Sequence, residues 1–120
     1  MEGQKIDREA VLDTTGGVVR QYVMRLDGRP VGSIRSNLNE HGYKIQRVAI
    51  LESERNVGLG SVMIQKLIEL IKQTRQHHEQ IYSEIQSQTK SYYEKNGFRV
   101  DSGEPKIIQG IEHFYAEYIE

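Results

Sequence analysis

The sequence predicts a single-domain α/β (α+β) fold with two helices packed on a β-sheet. Three observations point there. Extended, β-branched segments and amphipathic helical segments follow one another in the order strands, helix, strand, helix, strands. Asp27-Gly28 stands between two extended runs, the dipeptide of a tight hairpin turn. One 16-residue stretch also carries an apolar stripe broad enough to cover a sheet.

The first strand is read over Val18–Leu26 (VVRQYVMRL) and its hairpin partner over RPVGSIRS. Both are rich in the residues that suit a pleated surface. A further strand is expected from Tyr43 to Leu51, with Tyr43, Ile45, Arg47 and Ala49 on one face and Lys44, Gln46, Val48 and Ile50 on the other. Its second half is expected to be buried on both faces. From Gly60 to about Arg75, Val62, Met63, Ile64, Leu67, Ile68, Leu70 and Ile71 recur at helical spacing.

Gln80–Gln86 reads as a short strand, alternating Ile81, Ser83 and Ile85. Ser87 is then expected to cap a second helix carrying Tyr92 and Tyr93, which ends at Asn96-Gly97. Phe98–Asp101 and Ile111–Ile119 close the domain as two strands separated by a turn around Gly103 and Pro105.

Composition excludes several functions. The 120 residues suit one domain, and 16 basic against 17 acidic side chains leave no strong field for nucleic acid. The absence of cysteine removes disulfides, thiolate nucleophiles and cysteine-bearing zinc sites. The longest aliphatic run, Val48–Leu51, is far short of the ~20 residues of a membrane span. Charge at Glu2 and Lys5 argues against an export signal, so no membrane partner and a cytoplasmic location are expected. His77-His78 read as a solvated pair at the end of the first helix, and no metal site is expected.

The most informative segment is Arg55-Asn56-Val57-Gly58-Leu59-Gly60-Ser61, between a strand and a helix. Such a loop presents unpaired backbone N–H groups and the positive end of the helix dipole, which together favour phosphate. Gly58 and Gly60 permit close approach of a ligand. A Walker loop is excluded because Ser61-Val62, not a lysine, follows Gly60. A dinucleotide fingerprint fits poorly, since Met63 stands where its third glycine or alanine belongs. An ordinary tight turn before a helix stays open on spacing alone.

The run VAILESERNVGLGSVMIQKLIELIK resembles motif A of the GNAT N-acetyltransferase superfamily, whose loop takes the form Q/R-x-x-G-x-G/A. SYYEKNGF resembles the family's motif B, in which a tyrosine-bearing helix ends at a Gly-Phe step into the next strand. The start Met1-Glu2-Gly3-Gln4, Gln86, and the tail SGEPKIIQGIEHF are similar to the small ElaA-type branch, with Glu112 in place of a proline. In the family a first strand and one or two helices precede the segment that Gly3-Gln4 resembles. Counterparts are absent from these 120 residues, and the missing part usually forms one wall of the acceptor site.

The resemblance implies a GNAT-like, mostly antiparallel central sheet, acetyl-CoA as cosubstrate, and a small-molecule or peptide amine as acceptor. Carried over residue by residue, Arg55, Asn56, Val57, Gly58, Leu59, Gly60 and Ser61 would hold the pyrophosphate, and Val48, Ala49 and Ile50 the pantetheine arm. Gln86 would add a cofactor contact, and Tyr93 would protonate the departing thiolate.

The general base stays open between Glu84, His113 and a water chain, with His113 favoured because imidazole titrates in the useful range. Lys44 stands where some members carry a glutamate base. Arg47 is expected either to orient an acidic acceptor or to form a buried ion pair with Glu84 or a neighbour. Family analogy allows a homodimer. The alternative function is a non-catalytic CoA-binding or interaction module on the same fold.

Overall fold

The structure is a computed structural model describing residues 10–16, 18–54, 58–101 and 103–120. Among these residues, eight strands and two helices run in the order β1 (Ala10–Gly16), β2 (Val19–Leu26), β3 (Arg29–Asn39), β4 (Gly42–Ile50), α1 (Leu59–Thr74), β5 (Gln80–Ile85), α2 (Lys90–Lys95), β6 (Phe98–Val100), β7 (Lys106–Ile108) and β8 (Ile111–Tyr118). The sheet runs β1-β2-β3-β4-β5-β8-β6, with β7 paired to β8. Every pairing among the described residues is antiparallel except β4 with β5.

The β2–β3 hairpin forms where expected, with Asp27 at φ 55° and Gly28 at φ 81°. Both central residues of that turn need positive φ, which asparagine, aspartate and glycine tolerate best. A second turn of the same kind joins β7 to β8, through Gln109 at φ 52° and Gly110 at φ 80°. Strands β1 and β7 were not legible in the sequence. The first, AVLDTTG, mixes an aspartate and a glycine into its pattern, and the second has only three residues.

Helix α1 lays Leu59, Met63, Ile64, Leu67, Ile68 and Ile71 on the core, against Met24, Leu26, Val31, Ile34, Ile45 and Ile81 of the strands. These are apolar positions of the expected stripe, with Leu59 added at its start. The Ser87 cap does not form. Ser87–Thr89 make a 3-10 turn without a side-chain cap, and Thr89 Oγ1 instead donates to the Gln86 carbonyl at 2.9 Å. Gly97 takes the left-handed conformation, φ 96°, that lets the chain leave α2.

Two features of β4 shape the space beside it. The first is a bulge that interrupts its pairing with β3: Ser33 faces Ala49 and Arg35 faces Gln46, so Arg47 and Val48 together oppose Ile34. Arg47 takes φ 55° there, a conformation uncommon for a side-chain-bearing residue. The extra residue shifts the alternation, so Ile45, Val48 and Ile50 all reach the core while Arg47 and Ala49 are exposed. The expected faces of this strand are therefore wrong beyond Gln46, and its second half is not buried on both sides.

The second feature is divergence. The parallel ladder with β5 covers Gly42–Gln80, Tyr43–Ile81 and Lys44–Tyr82 and then stops. Only glycine fits at its start, since a Cβ on Gly42 would collide with the backbone of Gln80 at a φ of 142°. Beyond Lys44 the strands part, and the Ser83 hydroxyl closes the fork by donating to the Ile45 carbonyl at 2.6 Å. No helix among the described residues is long and apolar enough to cross a membrane.

Candidate active site

The parting of β4 from β5 opens a cleft of about 1110 Å³. Gln46–Ile50 line one wall and Ser83–Gln86 the other, while Gly58–Ser61, Tyr92 and Tyr93 line it from the helices and His113 from β8. Val48, Ala49, Ile50, Gly58, Leu59, Gly60, Ser61, Gln86, Tyr93 and His113, all expected from the sequence, thus meet around one space. Arg55, Asn56 and Val57 lie outside the described residues.

The phosphate-favouring end is the start of α1. Gly58 occupies the N-cap position at φ 83°, ψ 5°, without a side-chain cap, and its carbonyl accepts the first helical hydrogen bond from Val62 at 3.1 Å. The N–H groups of Leu59, Gly60 and Ser61 consequently have no intrahelical acceptor. Leu59 is only 2% exposed, so any ligand contact there belongs to its backbone. A Cβ on Gly60 would sit 3.3 Å from Tyr92 Cε1, a tight fit.

Side-chain contacts that the sequence did not reveal brace this end. Tyr92 donates its hydroxyl to the Gly60 carbonyl at 2.8 Å. Asn96, buried in the angle between the helices, donates to the Tyr92 carbonyl at 2.8 Å and to Ser61 Oγ at 3.2 Å, and its Oδ1 accepts from Gln65 Nε2 at 3.2 Å. Ser61 thus accepts from Asn96 and keeps its own proton for a ligand. The Asn96-Gly97 pair was legible only as a helix stop, not as a brace.

Tyr93 is 5% exposed, its ring perpendicular to Tyr92 at 5.1 Å and to Phe98 at 5.2 Å. Burial pushes its phenol up, with the neighbouring Ser83 hydroxyl pulling the other way. The phenol therefore keeps its proton through the neutral range. Burial drives Tyr92 further in the same direction, with Tyr93 contributing, and its hydroxyl is already committed to Gly60.

His113 Nδ1 lies 2.9 Å from the Ile111 carbonyl. A carbonyl only accepts, so Nδ1 carries a hydrogen, and in the neutral tautomer this selects Nε2 is the nitrogen with the lone pair. Glu84 is differently placed. Its carboxylate binds Lys44 at 2.6 Å and Lys106 at 3.1 Å. Burial pulls the Glu84 carboxyl up, but the two lysines outweigh it and hold it below the ordinary range, which makes it a poor base. The expected Arg47–Glu84 pair does not form; Lys44 takes that role. His77 and His78 are both exposed after α1, and no cluster of metal-ligating side chains occurs among the described residues.

Uncapped helix donors, a bulged and diverging strand and a proton-bearing phenol thus surround one cleft. The family described as acetyltransferase (GNAT) domain matches residues 19–100. A Bacillus subtilis (strain 168) protein provisionally named an acetyltransferase is 32% identical over 101 residues, covering 84% of this chain and 67% of its own. The chain spans about two thirds of the length of the curated relatives it matches.

Among solved structures, a Bacillus subtilis acetyltransferase in complex with CoA superposes with a TM-score of 0.74 at 14% identity, over 93% of this chain and 99% of that one. Escherichia coli ElaA does so with a TM-score of 0.69 at 19% identity, over 87% and 70%. At these identities the likeness is one of fold. With residues 19–100 matched by the family and its mixed, mostly antiparallel sheet shared with those structures, the chain belongs to the GNAT acetyltransferases.

Proposed function

We propose that the protein transfers the acetyl group of acetyl-CoA directly to a primary amine in the cleft between β4 and β5. The observation that carries this reading is the divergence of those strands beyond Lys44–Tyr82, directly beside the uncapped start of α1. The residues present fit the cosubstrate: a glycine in the left-handed conformation at the N-cap, three N–H donors without intrahelical acceptors, and a serine hydroxyl with a proton to give. Gly58–Ser61 would hold its pyrophosphate and the edge of Val48–Ile50 its pantetheine arm, as an added strand. Bound there, the cosubstrate supplies an activated thioester.

The chain's own groups supply the rest. Backbone N–H groups of the bulged strand orient the acyl carbonyl and stabilise negative charge developing on its oxygen. His113 Nε2 takes a proton from the acceptor ammonium. Tyr93 Oη gives its proton to the sulfur as the C–S bond breaks and recovers one from the nitrogen that has formed the C–N bond. With no cysteine in the chain, direct transfer to the amine is favoured over a thioester-linked acyl enzyme.

Incubating the protein with acetyl-CoA and a set of primary amines, while following thiol release and protein mass, tests this. The expected result is thiol release that depends on the amine and matches the acetamide formed, with protein mass unchanged. Thiol release without acetamide, or an acetylated protein intermediate, would contradict it.

A further inference from the structure

The charges around the cleft bear on which amine it accepts. Glu84 is the sole carboxylate among the described residues that line it, and both of its oxygens are engaged, Oε1 by Lys44 and Oε2 by Lys106. Lys44, Lys106 and Arg47 therefore stand against one carboxylate near the fork of β4 and β5, and Lys95, exposed and without an ion-pair partner among the described residues, lines the same cleft from the end of α2. Arg47 differs from Lys44 and Lys106. It is exposed, it lines the cleft, and it has no ion-pair partner among the described residues.

Its backbone reinforces the point. The β4 bulge holds Arg47 at φ 55°, where a glycine would sit without strain. The bulge also turns the residue away from the core that Ile45, Val48 and Ile50 reach. A guanidinium can bind a carboxylate through two parallel N–H donors. A second ammonium on the acceptor would instead find no unengaged carboxylate among the described lining residues, and would face Lys44 and Arg47.

We propose that the acceptor is a primary amine that also bears a carboxylate, and that Arg47 binds that carboxylate while the amine faces the thioester. The proposal rests on the acetyl-transfer reading and names the acceptor class for it. Polycationic amines are excluded by the same charges.

The test compares glycine, β-alanine and glutamate, each with its carboxamide, together with spermidine, on the wild type and on Arg47→Gly and Arg47→Lys. Glycine suits the bulge conformation, so Arg47→Gly is expected to fold at least as well as the wild type. In the wild type the carboxylates should be better acceptors than their amides and than spermidine. Arg47→Gly should raise KM for the carboxylates about 10-fold or more, the loss of a charge-assisted hydrogen bond, while their kcat and the KM for acetyl-CoA stay near wild type.

Arg47→Lys should recover part of the loss, since it keeps the charge but not the paired donors. Preference for spermidine or the amides, an equal effect of Arg47→Gly on all acceptors, or a change confined to the acetyl-CoA KM would overturn the proposal. Absence of transfer to any amine would sink the acetyl-transfer reading as well, whereas transfer without the charge preference sinks this inference alone.

Discussion

Replacing Tyr93 with phenylalanine lowers kcat about 100-fold or more while acetyl-CoA still binds, the range expected when a positioned proton donor is removed. The substitution keeps the ring between Tyr92 and Phe98, at 5.1 and 5.2 Å, and removes only the hydroxyl of a side chain that lines the cleft. Ser83 retains its bond to the Ile45 carbonyl, so the fork of the strands stays closed. The stability change should be about 1 kcal/mol, the net value of one hydrogen bond.

The raised phenol adds a second signature. Because Tyr93 holds its proton above the ordinary range of ~10, wild-type kcat should not fall in the mildly alkaline region through loss of this proton. Tyr92→Phe is the control. It removes the bond to the Gly60 carbonyl and should weaken acetyl-CoA binding rather than turnover of bound substrate. Steady-state kinetics on the two variants separate the roles, and wild-type kcat in Tyr93→Phe would remove Tyr93 from the mechanism.

The second large effect belongs to Gly58→Asp. Gly58 is the N-cap of α1 at φ 83°, so any side chain there carries strain of roughly 1–2 kcal/mol. Aspartate tolerates the left-handed region better than most side chains, and its carboxylate would bring negative charge to the second and third helical N–H groups. Those donors belong to Gly60 and Ser61, the groups assigned to the pyrophosphate. The variant should therefore fold yet lose acetyl-CoA affinity by about 100-fold or more, the equivalent of two charge-assisted hydrogen bonds and a repulsion between anions. Calorimetric titration of the folded variant measures it. Affinity near wild type would show that the start of α1 does not hold the phosphates.

How far the sequence could be read depends on where each signal lies. Helix α1 and the strands β2 to β5 were legible because their apolar spacing is local and their turns carry residues suited to positive φ. Tyr93 was placed by its position ahead of the Gly-Phe step, and the glycine loop by its place between strand and helix. The bulge was not legible. It consists of one extra residue opposite Ile34, and the residue in the left-handed conformation is an arginine, which no turn signature marks.

That single insertion reversed the expected facing of Arg47 through Ile50. Nor does Arg47 pair with Glu84, whose partners Lys44 and Lys106 lie 40 and 22 residues away in the chain. Pairings over such distances depend on strand register, which alternation within one strand does not specify. The brace of Asn96, Ser61, Gln65 and Tyr92 was hidden for the same reason, since it joins two helices through side chains that each look like ordinary surface polar residues.

The thermal unfolding midpoint of the chain, measured alone and with acetyl-CoA, CoA or NADH, tests the central assignment most directly. A ligand at ~100 times its dissociation constant adds ~2.7 kcal/mol of stability, several degrees in a domain of this size. A cleft between β4 and β5 built for acetyl-CoA predicts such a rise with acetyl-CoA and with CoA, and none with NADH. A cooperatively folded chain whose midpoint is unmoved by acetyl-CoA and CoA would contradict the assignment of the cleft, and the catalytic roles of Tyr93 and His113 would fall with it.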